Sequence, residues 1–138
     1  MNFMDLRQWI NFLEKEGELR RIIAEVDWIG EIGAVARRVL ERKGPALLFE
    51  NIKGYQSGRC TKLFTGGLAA RSRLAFALGF PADISNRELV LYVMKKNRET
   101  SRPSWSRRGP VKEVIVRGEA VDQTEFPVLK WQYLEGGR

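Results

Sequence analysis

Four apolar residues in succession, Ala46-Leu47-Leu48-Phe49, follow the break at Gly44-Pro45. Strand side chains alternate between two faces, so this run suits a strand that is covered on both of them. The chain on either side must therefore supply apolar cover twice over. Upstream, DLRQWINFLEKEG repeats Leu6, Trp9, Ile10 and Leu13 at helical spacing, with Asp5 placed as N-cap and Gly17 as stop. Glu18 to Val26 (ELRRIIAEV) reads as a strand. Asp27 is placed to cap a second helix, WIGEIGAVARRVLERK, with Ile32, Val35, Ala36, Val39 and Leu40 as its buried stripe. Gly30 and Gly33 each cost such a helix roughly 1 kcal/mol relative to alanine. They point either to the close approach of another backbone or to a helix that starts later than Asp27.

Downstream, KGYQSGR (53–59) is a loop and CTKLFTGG a further strand ending on a glycine pair. AARSRLAFALG is a short helix stopped by Gly79 and Pro81. SNRELVLYVMKKN is another, opened by the capping box Ser85-x-x-Glu88, with Leu89, Val93 and Met94 turned inward. The order predicts an α+β (mixed α/β) domain over 1–97. A basic, proline-containing linker (98–110) follows, and then a strand over Val111 to Val121 with a hairpin at Arg117-Gly118. Trp9, Phe12, Trp28 and Phe49 are expected in the core.

Composition narrows the chemistry. The 138 residues include no histidine, which removes Ser-His-Asp and Cys-His catalysis and His-ligated metal sites from this chain. No spaced carboxylate motif for a metal replaces them. Cys60 is the single cysteine, so no internal disulfide forms, as fits a reducing cytoplasm. Apolar runs fall well short of the ~20 residues a membrane helix needs, and the start, MNFMDLRQW, has no signal core. Net charge is +7; Lys95 to Arg117 holds eight basic residues and two acids, so it carries +6 and the remainder +1.

Each candidate site has a plainer reading beside it. Gly66-Gly67 before a helix bearing Arg71 and Arg73 resembles an anion cradle, but lacks a P-loop or GxGxxG pattern, and a turn that needs glycine accounts for it. Trp105 between Arg102 and Arg107/Arg108 suggests single-stranded nucleic acid, yet one aromatic makes no stacking platform. Glu14, Glu16, Glu18, Glu25, Asp27 and Glu31 offer acid/base pairs in principle, but mostly fall on polar faces or helix ends. Cys60, flanked by Arg59 and Lys62, reads as a half-buried thiol in a strand rather than a nucleophile. Residue chemistry alone yields no catalytic constellation.

Six pieces in order, DLRQWINFLEKEGELRRI, EVDWIGEIGAVARRV, GPALLFENIKGY, LFTGG, RLAFALG and VDQTEFPVLKW with EGGR, resemble the N-terminal region of the UbiD family. The likeness is nearest to the anaerobic aromatic-carboxylase branch, such as phenylphosphate carboxylase. It implies a decarboxylase or carboxylase of aromatic or α,β-unsaturated acids. The family uses prenylated FMN, held with a divalent metal (Mn or Mg) and potassium in a split β-barrel domain. A Glu-Arg-Glu set does the acid/base work, and members assemble as dimers or hexamers. All these site residues are expected beyond Arg138, so no catalytic, cofactor or metal residue is assigned here, and 1–138 alone is expected to be inactive. Residues 111–138 would begin the barrel domain and, alone, be disordered, swapped or paired with another chain. The rival readings are a non-catalytic partner subunit docking on a separate catalytic chain, and a basic nucleic-acid module on Lys95 to Arg117.

Overall fold

A computed structural model describes residues 3–107 and 109–131. Arg108 of the basic segment, and 132–138 of the expected barrel start, lie outside the described residues. The chain divides into two compact units, one from residues 1–84 with 124–138, the other from 85–123.

The first unit is built on a three-stranded sheet in the order β1-β2-β3, formed by Leu19–Ile22, Ala46–Phe49 and Leu63–Thr65. β1 and β2 run parallel, with Leu19 opposite Ala46 and Ile22 opposite Phe49; β3 returns antiparallel, with Leu63 opposite Phe49. The apolar run 46–49 is thus the central strand, and all four of its residues are buried. Its alternation sorts the core into two layers. Leu19, Ala46, Leu48 and Phe64 face Trp9 and Leu13 of α1 (Leu6–Lys15) and Phe76 of α3 (Arg71–Ala77). Leu47, Phe49, Ile22 and Leu63 face Ile32, Val35 and Val39 of α2 (Glu31–Glu41). Full burial of each large side chain contributes about 1.5–3 kcal/mol. Phe12 stacks on Trp9 and meets Phe76 edge-on, and Trp28 meets Tyr55 edge-on, so both expected aromatics join the core from its margins.

Helix ends follow their caps. Asp5 accepts the Gln8 N–H at 2.8 Å and opens α1. α2 starts at Glu31, not after Asp27, because Gly30 takes a positive φ of 78° that no helix continues through. Asp27 instead accepts from the Ile29 N–H at 2.9 Å and holds the preceding turn. Leu40, expected in the buried stripe, is exposed, and of that stripe Ile32, Val35 and Val39 are the residues that pack on the core. The strand expected from Glu18 to Val26 stops at Ile22, and Val26 makes only an isolated bridge to Ile52.

The segment 126–131 belongs to this unit. Lys130 bridges Ile29 in parallel, donating to the Trp28 carbonyl at 3.3 Å while its own carbonyl accepts from Gly30 at 2.8 Å. Trp131 lies directly on α2 at Gly33, where an added Cβ would stand 3.1 Å from Cε3 and 3.4 Å from the Trp131 Cα. The glycine that costs the helix is there for that approach. Gly33→Leu is expected to lift this segment, speeding amide exchange at Gly30 and Lys130 by roughly tenfold or more while the urea midpoint moves little, since the helix gains up to ~1 kcal/mol. Unchanged exchange at those amides would contradict the packing.

In the second unit, α4 (Asn86–Lys96) opens on the expected capping box: Ser85 Oγ accepts the Glu88 N–H at 3.2 Å and Glu88 accepts the Ser85 N–H at 3.1 Å. Leu89 is buried, but Val93 and Met94 are exposed and do not turn inward as expected. The strand and hairpin expected over Val111 to Val121 are replaced by 3-10 turns at Pro110–Lys112 and Gly118–Ala120. A strand needs a ladder, and the described residues offer this stretch none.

Candidate functional site

The Gly66-Gly67 turn is the centre of a built polar junction. Gly66 sits at φ 76°, where an added Cβ would stand 3.5 Å from the Ala46 Cα, and a Cβ on Gly67 would strike the Phe64 ring at 2.6 Å. The glycines are there for shape. Arg73 then enters from α3, 2% exposed. It donates Nε–H to the Gly66 carbonyl at 3.0 Å, Nη1–H to Glu18 Oε2 at 2.6 Å and Nη2–H to the Gly44 carbonyl at 3.2 Å. Arg71 donates to the carbonyls of Asp83 and Ile84. Both arginines that suggested an anion cradle are engaged in holding loops.

A charged cluster covers the outer end of the sheet. Arg21 of β1 grips Glu14 of α1 by two N–H donors, at 2.6 and 2.7 Å, and reaches Glu50 at 3.0 Å, which Lys62 also contacts. This is a Glu-Arg-Glu arrangement, but one that faces solvent. The hydrogen bond from Arg21 holds the Glu14 carboxyl below its ordinary range, and those from Lys62 and Arg21 do the same for Glu50. A general acid needs the opposite shift. Asp27, bonded to the Ile29 N–H and Lys53, is likewise lowered. Glu25 accepts from Gln56, and Glu31 from the Asp27 N–H. Glu16 is exposed. The candidate acids therefore do not converge on a shared site.

A carboxyl with a depressed folded pKa contributes stability above its unfolded value, near 4.5 for glutamate, and loses it as pH falls through the folded value. Glu50→Gln is expected to lower the urea midpoint near neutral pH and to leave a shallower decline on acidification below ~4.5. An unaltered acid limb would show that Glu50 is not held as a carboxylate.

Cys60 is half-buried with Sγ 3.6 Å from the Lys62 carbonyl, but it precedes β3 instead of lying within it. A groove of about 360 Å³ runs between α2 and the glycine turn, lined by Ala36, Leu40, Pro45, Ala69, Arg73 and Trp131. Its lining is mostly apolar; the polar side chains are the engaged Arg73, Thr65 and Arg37, which pairs with Glu41 at 3.0 Å. In the second unit Trp105 stands fully exposed among the basic residues. No group of three His, Cys, Asp or Glu with ligand geometry occurs among the described residues, and none of the described helices is long and apolar enough to cross a membrane.

The signature of the 3-octaprenyl-4-hydroxybenzoate carboxy-lyase N-terminal domain matches residues 10–92. The chain belongs to the UbiD family. It is 38% identical to the pyrrole-2-carboxylic acid decarboxylase of Pseudomonas aeruginosa over 98% of its own length, but spans only 28% of that protein. The UbiD-class enzyme HmfF from Pelotomaculum thermopropionicum, solved in complex with FMN, superposes with a TM-score of 0.68 at 34% identity, over 90% of this chain and 26% of that one. Vanillic acid decarboxylase of Sedimentibacter hydroxybenzoicus gives a TM-score of 0.62 at 28% identity, over 70% and 20%. An evolved form of HmfF is dimeric and solved with prFMN. The mixed α/β architecture is therefore that of the UbiD N-terminal domain.

The described residues around the groove are not arranged to hold a flavin phosphate or a metal ion. The groove presents no free donor set for a phosphate, the arginines near it are committed to carbonyls and carboxylates, and carboxylates are not gathered for a cation. The buried Arg73–Glu18 junction escaped sequence reasoning because 55 residues separate its partners; the clue was an arginine on the inward side of a short helix after a glycine pair.

Proposed function

We propose that this chain is the non-catalytic N-terminal domain of a cytoplasmic UbiD-type carboxy-lyase. The whole protein would act on aromatic or α,β-unsaturated carboxylic acids through prenylated FMN, with its divalent metal and potassium. The domain itself would be a rigid neighbour to the cofactor domain, with 98–110 as linker and 111–138 as the entry into the barrel. The observation that carries this reading is 38% identity across 98% of the chain to a decarboxylase more than three times as long. The two-layer core and the buried arginine that ties three turns to α3 support reading the domain as a rigid neighbour.

The test compares residues 1–138 with the longer protein carrying this sequence, expressed with a source of prenylated flavin. Bound flavin is read by absorbance, and CO2 release is followed from pyrrole-2-carboxylate, vanillate and 3,4-dihydroxybenzoate. The longer protein is expected to retain flavin and release CO2 from an acid of this class, and 1–138 to do neither. Flavin retention by 1–138 would refute the division of labour. Recovery of activity only when 1–138 is mixed with a separate catalytic chain would favour the partner-subunit reading.

A further inference from the structure

We draw no further inference here: the strongest candidate, the mostly apolar groove between α2 and the Gly66-Gly67 turn, carries nothing because nothing among the described residues shows what covers it.

Discussion

Arg73→Ala is expected to lower the unfolding free energy of this chain by about 3–5 kcal/mol, the cost of breaking a buried pair from one side. For a small domain with ~5–15 kcal/mol in total, that removes a large share of the fold. The guanidinium ties the turn before β1 (Glu18), the turn before β2 (Gly44) and the turn after β3 (Gly66) to α3. Its loss leaves two carbonyls and a carboxylate without donors, each neutral group costing about 1–3 kcal/mol. Glu18 keeps 26% of its side chain in water, so Glu18→Gln should cost less than Arg73→Ala. Arg73→Lys should not rescue, because one ammonium cannot reach three acceptors set around a planar fork. Arg73→Met restores volume but no donors, and should fall between lysine and alanine. Urea midpoints at neutral pH check the series. A loss below ~1 kcal/mol for Arg73→Ala would mean that the junction is incidental to stability.

The sheet was legible wherever pattern and period agreed. Ala46 to Phe49 announced a doubly covered strand, Trp9 and Leu13 a helical face, and Ser85 with Glu88 a capping box, because each signal lies within a few residues of sequence. The start of α2 was not, since Asp27 and Gly30 both suit a helix entrance and only the positive φ at Gly30 decides between them. Leu40, Val93 and Met94 were misplaced because periodicity tells which residues share a face, not whether anything lies opposite it.

The candidate site shows the same division. Arg71, Arg73 and the glycine pair were found in sequence, but their roles depend on carbonyls and a carboxylate supplied from elsewhere in the chain. The Glu14–Arg21–Glu50 cluster was missed because its members come from α1, β1 and the end of β2. Its depressed carboxyls also separate appearance from chemistry: the set ties α1, β1 and the end of β2 together, and its acids are shifted away from the range a general acid uses.

Amides of Leu47, Leu48 and Phe49 in the isolated chain are expected to exchange at least ~1000-fold more slowly than those of Val114, Ile115 and Val116. β2 is flanked by a strand on each side and buried on both faces, so its hydrogen bonds open only when the first unit unfolds. Around Val114 the backbone bonds are local, from Lys112 to the Gly109 carbonyl and from Glu113 to that of Pro110, and the side chains are exposed. Phe49→Ala, at about 3–5 kcal/mol, should collapse the difference from one side by speeding β2 without altering 114–116. In a longer enzyme of the kind proposed, the difference should close from the other side, with 114–116 slowing as a sheet or an apolar face covers them. Equal and slow exchange in the isolated chain would mean that Val111 to Val121 is complete in itself. The strand-like sequence there would then need no partner, and the case for a domain built to adjoin another would rest on family likeness alone.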